Sequence, residues 1–116
     1  MTPTIVLKDG KPFLVTGSPG GSRIITAVLQ VISNVIDLKL PLADAVAAPR
    51  IHDQWSPDEV VVERGTKADL VQGLEALGHT VHEDVPRTSA NSILVTPRGP
   101  VGAADPRSRG ALAAGY

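Results

Sequence analysis

The residues whose types and spacing suit chemistry lie at one junction, Gly17-Ser18-Pro19-Gly20-Gly21-Ser22-Arg23. It sits between a β-branched run ending in Val15-Thr16 and an almost wholly apolar stretch from Ile24 to Ile36. A strand that stops at a Gly/Ser/Pro knot and gives way to a helix leaves backbone N–H groups free at the helix N-terminus, where they hold negative charge. The knot is not a mononucleotide-binding loop, because no Lys-Ser/Thr follows the glycines. It is not the dinucleotide fingerprint either, because the glycines fall at positions 17, 20 and 21. The chemistry that remains is an oxyanion hole made by the adjacent N–H groups of Gly20 and Gly21, with no side chain to keep a ligand from the backbone. Ser18 and Pro19 are candidate substrate contacts through the shape they give the loop. A purely structural strand-to-helix turn is the alternative.

Elsewhere the chemistry is thin. Thr2 would be a nucleophile only if removal of Met1 exposed its α-amine as the base, and Pro3 constrains that arrangement. His52, His79 and His82 lack metal-ligand helix spacing, and no residue pattern calls for a metal or a cofactor. His52 lies in Arg50-Ile51-His52-Asp53-Gln54-Trp55, which reads as a binding loop or a hydrogen-bonded connector. Ser18, Ser22, Ser89 and Ser92 show no triad logic, and Asp105-Pro106-Arg107 suits a turn or an ion pair. There is no cysteine, hence no disulfide, thiolate metal site or thiol nucleophile.

A chain of 116 residues fits one domain, residues 1–116, or part of one. Its net charge of −1 and scattered Lys and Arg argue against nucleic acid or an anionic membrane as a partner. No run of about 18 apolar residues suggests a membrane span. Met1-Thr2-Pro3-Thr4 has neither the basic nor the apolar part of a signal peptide, and the compartment stays unassigned. With Phe13, Trp55 and Tyr116 the only aromatics, the core falls to Val, Ile, Leu and Ala.

The elements that must position the glycine loop follow from pattern. Thr4 to Lys8 and Pro12 to Thr16 form a hairpin around Asp9-Gly10, a type I′ turn pair. A helix runs from about Ser22 to Asp37, apolar around most of its circumference and therefore expected to be buried on several sides. So short a chain cannot wrap such a helix alone, which implies a second copy, another subunit or more of its own domain. Pro41 to Ala48 is a short helix closed by Pro49. Glu59 to Glu63 is a strand buried on both faces. Thr66 caps a second amphipathic helix with Asp69 as a weak capping box, Leu70, Val71, Leu74 and Leu77 line one face, and Gly78 stops it. Thr80 to Asp84, Asn91 to Thr96 and Pro100 to Ala104 are strands. The order β-β-α-α-β-α-β-β-β defines an α+β fold with antiparallel strands packed on helices.

Four ordered stretches resemble the γ-glutamyltranspeptidases (glutathione hydrolases). Gly17 to Ile24 is similar to that family's glycine motif, and Met1 to Val6 to the strand after its Ser-Ser-Met segment. Ala48 to Trp55 is similar to its Ala-Pro-Arg-x-His-x-Gln-Trp stretch. Ala103 to Arg107 with Ala114-Gly115-Tyr116 is similar to its C-terminal end. The resemblance implies a self-cleaving precursor with the layered αββα N-terminal-nucleophile hydrolase fold. In it, a new N-terminal Thr attacks a γ-glutamyl amide and passes the acyl group to water or an amino acid. By resemblance Gly20 and Gly21 are the oxyanion donors, and the chain corresponds to the C-terminal part of the small subunit. The nucleophilic Thr, the residues that grip the substrate's α-amine and the Ser-Ser pair for its α-carboxylate would lie upstream. The expectations are therefore a γ-glutamyl substrate only in the complete enzyme, a homo-oligomer or missing upstream polypeptide as partner, and no activity for the chain alone. A non-catalytic module of the same fold and a cephalosporin- or glutaryl-acylase-like relative are the alternatives. Members of the family are often periplasmic, extracellular or at the cell surface.

Overall fold

The computed structural model describes residues 3–115. β1 (Thr4–Lys8) and β2 (Lys11–Gly17) form the expected hairpin. Asp9 and Gly10 both take positive φ, 51° and 75°, as a type I′ turn requires. A 3₁₀ turn (Gly21–Arg23) leads into α1 (Ile24–Ile36), followed by α2 (Leu42–Ala47) and the two-residue β3 (Ile51–His52). β4 (Val60–Glu63), α3 (Ala68–Ala76) and β5 (Val81–Asp84) come next, and β6 (Asn91–Thr96) and β7 (Gly99–Ala103) close the order.

Two sheets result. The larger has the order β1-β2-β6-β7, antiparallel throughout, so that β2 pairs with a strand from the far end of the chain. The smaller has the order β3-β4-β5. Here the antiparallel expectation needs correction at one pair: β4 and β5 run parallel, because α3 carries the chain back before β5 begins. Strands on helices in two sheets make an α+β fold.

The core lies between the larger sheet and the two helices behind it. Leu14 from β2, Val31 and Val35 from α1, and Leu42, Ala45 and Val46 from α2 meet Ala90 and Ala103 there, all buried. All four residues of β4 are buried, as the unbroken apolar run predicts.

α1 is incompletely wrapped, as expected of so apolar a helix in so short a chain. Ala27, Val28, Val31 and Val35 are buried, but Ile25 and Leu29 remain 75% and 61% exposed. Within this chain the helix keeps one open stripe, at Ile25 and Leu29, while its other residues are buried or half-buried. The outer face of the larger sheet is likewise open at Ile5, Leu7, Ile93 and Val95, residues that alternate with the inward Leu14 and Leu94 row. The start of α3 also differs. Lys67, not Thr66, is the N-cap residue, and no side chain caps the helix. Thr66 Oγ1 donates instead to the Glu63 carbonyl at 2.6 Å, and Asp69 accepts from the Leu70 N–H at 2.9 Å. The turn after β4 claims the hydroxyl that the capping box needed. Among the described residues no helix is long and apolar enough to cross a membrane.

Leu14 is fully buried while Leu77 is 79% exposed. Leu14→Ala is expected to lower the unfolding free energy by about 2–5 kcal/mol, and Leu77→Ala by less than about 0.5 kcal/mol. Urea denaturation of the two variants checks the contrast.

Candidate functional site

The glycine loop leaves the end of β2 at Gly17 and enters α1 through the 3₁₀ turn. Ser18 is fully buried, and its Oγ donates to the Pro19 carbonyl at 2.6 Å while accepting the Ser89 N–H at 3.0 Å. Its hydroxyl is thus engaged in shaping the loop. Pro19 is exposed and, with Gly17, Asn91 and Ser92, borders an open cavity of about 620 Å³ that residues 112–115 also line.

Gly20 has φ 139°, and a Cβ placed on it would lie 2.7 Å from Thr88 Cγ2 and 3.1 Å from the Arg87 carbonyl. Backbone and neighbours both demand glycine there. Gly21 has φ 59° but open space around its missing Cβ. The Gly20 carbonyl accepts from the Arg23 N–H at 3.1 Å, which tightens the turn. Among the described residues the N–H groups of Gly20 and Gly21 have no acceptor. Two adjacent free donors beside a helix N-terminus are the elements of an anion site.

The loop is tethered from behind. Arg23 binds Asp84 at 3.1 Å, and Arg87 binds the same carboxylate at 2.8 Å. The Arg87 hydrogen bond, the Val85 N–H and Arg23 together hold Asp84 well below the usual carboxylate range. Deeper, Arg50 Nη2 meets Asp105 Oδ2 at 2.8 Å and the Val46 carbonyl at 2.8 Å, while its Nη1 donates to Thr88 Oγ1 at 2.9 Å. Asp105 also accepts the Ala90 N–H at 2.7 Å and the Arg107 N–H at 2.9 Å. Arg107 reaches on to Glu63, its Nε 3.0 Å from Oε2. Burial pushes the Asp105 carboxyl up, but the Ala90 and Arg107 N–H groups and the Arg50 guanidinium outweigh it and hold it below its ordinary value. Burial likewise pulls Arg107 down, and the Glu63 and Asp105 carboxylates more than reverse it.

The other candidates fall outside this cluster. Both His52 ring nitrogens are engaged, Nδ1 with Thr26 Oγ1 at 2.8 Å and Nε2 with Gln54 Oε1 at 3.0 Å, which suits a connector. Arg50 points inward from that stretch, whereas Trp55 is 85% exposed with φ 71°. Ser92 shares a buried hydrogen bond with Thr16, and Ser89 with Ser108. His79 and His82 are exposed. Thr2 lies outside the described residues. The Asp105–Arg107 ion pair offered by the sequence forms at 3.1 Å, whereas Thr88, Glu63 and the link of Arg50 to Asp105 escaped the sequence reading. The available signals were charge where burial was expected, Glu63 closing an apolar strand and Asp105 before a Pro-Arg turn.

The layered arrangement is that of part of an N-terminal-nucleophile hydrolase. The gamma-glutamyltranspeptidase family model matches residues 1–115, and the chain belongs to that family. It is 56% identical over 117 residues to the glutathione hydrolase proenzyme of Escherichia coli K12, covering 100% of this chain and 20% of the relative. It is 42% identical to the proenzyme of Pseudomonas sp. A14, covering 100% of this chain and 22% of that one. The chain thus spans about one fifth of the length of these relatives. Among solved structures, an acivicin-inhibited gamma-glutamyltranspeptidase superposes with a TM-score of 0.87 at 51% identity, covering 94% of this chain and 61% of that one. The Bacillus anthracis transpeptidase CapD shares the fold, with a TM-score of 0.81 at 23% identity over 100% of this chain and 70% of its own.

Because the folded-state value of Asp105 lies below its unfolded value, its contribution to stability is present above the unfolded carboxylate range near pH 4 and is lost as pH falls through the folded value. Asp105→Asn is expected to destabilise by about 3–5 kcal/mol at neutral pH, since it strands the Arg50 charge in the core. The variant's loss should shrink as the pH is lowered toward the acid unfolding of the wild type. Urea midpoints measured between pH 7 and pH 3 read both effects.

Proposed function

We propose that this chain is the C-terminal part of the small subunit of a γ-glutamyltranspeptidase, and that in the complete enzyme it supplies the oxyanion hole for γ-glutamyl transfer or hydrolysis on glutathione-like substrates. The observation that carries the proposal is the pair of unengaged N–H groups on Gly20 and Gly21, on a loop whose geometry permits only glycine at position 20. When the nucleophilic Thr of the complete enzyme attacks the γ-glutamyl carbonyl carbon, the carbonyl oxygen takes the negative charge. Two N–H donors held in place before the reaction stabilise that charge more than they stabilise the neutral carbonyl, which lowers the barrier. Collapse of the intermediate expels the amine and leaves an acyl-enzyme for water or an amino acid. Pro19 and the shape given by Ser18 border the substrate's approach.

The positive φ values supply a graded test. In the complete enzyme, Gly20→Ala drives a methyl into Thr88 and must displace the donor, so kcat for a chromogenic γ-glutamyl anilide is expected to fall by about 10²–10³. Gly21→Ala has room for its methyl and meets only the left-handed backbone penalty of about 1–2 kcal/mol, so it should lose much less. Equal activity of Gly20→Ala and wild type would overturn the assignment.

The open faces of α1 and the larger sheet support burial against the remaining polypeptide of the enzyme. Ile25, Leu29, Ile93 and Val95 stay exposed on the 116-residue chain. The isolated chain is therefore expected to self-associate in sedimentation and to show no γ-glutamyl turnover. A well-behaved monomer would count against the first expectation. Turnover abolished by changing Thr2 would count against the second.

A further inference from the structure

We propose that Thr88 is a positioning residue for the glycine loop: its γ-methyl seats Gly20, and Arg50, by holding the Thr88 hydroxyl, makes the methyl rather than the hydroxyl face the loop. The proposal rests on the reading of Gly20 and Gly21 as oxyanion donors.

Thr88 is buried in the segment between β5 and β6. Its Cγ2 occupies the space beside Gly20 that a Cβ would need, and no other side-chain atom comes within 3.4 Å of that position. The hydroxyl and methyl of a threonine are nearly the same size, so packing alone distinguishes its rotamers poorly. Hydrogen bonding decides between them here. Arg50 Nη1 donates to Thr88 Oγ1 at 2.9 Å, and Arg50 is itself fixed by the Val46 carbonyl and Asp105. Neighbouring bonds hold the rest of the segment, with the Ser89 N–H on Ser18 Oγ and the Ala90 N–H on Asp105 Oδ2. The loop is thereby clasped at Ser18 and seated at Gly20 by one short stretch of chain.

The choice of methyl has a chemical consequence. A hydroxyl facing the loop would bring lone pairs close to N–H groups that must stay free for an anion. A methyl fixes the position of Gly20 and offers those donors no acceptor. Arg50 acts on the oxyanion hole only through Thr88, at one remove from the reacting atoms.

Two substitutions separate the wedge from the hydrogen bond. Thr88→Ser keeps the hydroxyl that Arg50 holds and removes the methyl. Thr88→Val keeps a methyl toward Gly20 and removes Arg50's acceptor. Both are made in the complete, processed enzyme. The readouts are kcat and KM for a γ-glutamyl anilide, inhibition by a boronic-acid analogue that forms a tetrahedral adduct, and thermal unfolding. For Thr88→Ser, kcat and boronate affinity are expected to fall together by about tenfold or more, with KM within about twofold of wild type. Thr88→Val should melt at a lower temperature yet lose less kcat than Thr88→Ser. A merely structural role through the Arg50 bond predicts the reverse order, with Val worse in both stability and kcat. That order overturns the proposal, as does a Thr88→Ser enzyme with wild-type kcat and boronate affinity. A wild-type enzyme without γ-glutamyl turnover would instead remove the reading on which the proposal rests, so the two failures are distinct.

Discussion

The rest of the structure depends on the buried pairing of Arg50 with Asp105. Each group would be costly in the interior alone, and each is stabilised there by the other and by directed bonds from the elements around it, only Arg50 Nε being left without a partner among the described residues. Arg50 sits just before β3 and binds the end of α2 through Val46; Asp105 follows β7 and binds the entry to β6 through Ala90. Arg107 extends the cluster to Glu63 at the end of β4. One cluster of charges therefore joins the two sheets and the short helix. A hydrophobic contact would tolerate sliding between these elements; a guanidinium with three directed partners does not.

That cluster also relates the core to the glycine loop. Apolar burial, centred on Leu14, Val31 and Val46, supplies the driving force but little direction. The polar bonds give the direction: Arg50 to Thr88, Ser89 to Ser18, Arg23 to Asp84. Two N–H groups held with small positional error need this kind of support, because the glycines themselves carry no side chain to anchor them.

Local chemistry made some of this legible in the sequence. Asp9-Gly10 fixes its hairpin because both residues accept positive φ, and the unbroken apolar run before Glu63 marks a buried strand. The glycine knot announced free N–H groups because a strand gives way there to a helix N-terminus. What escaped the sequence reading depends on distant partners. The parallel pairing of β4 with β5 is set by where α3 returns the chain, not by the composition of either strand. Thr66 reads as a helix cap until Glu63 takes its hydroxyl. The special demand at Gly20 is invisible without Thr88, and Arg50 and Asp105 carry no shared period that would show they meet. The open side of α1 was legible only as a surplus of apolar residues; which residues stay exposed needed the packed sheet to decide.

The pairing of β2 with β6 has a consequence in time. The β1–β2 hairpin closes over a two-residue turn and belongs to the fast, local events of folding. The segment that clasps Ser18 and seats Gly20 arrives only with β6, after a loop spanning most of the chain has closed, and such closures are slow relative to a hairpin. A partly folded chain therefore carries the glycine sequence without its folded shape. The two glycines take their places only when the long-range contacts of β6 form, so the conformation of this loop reports completion of the fold.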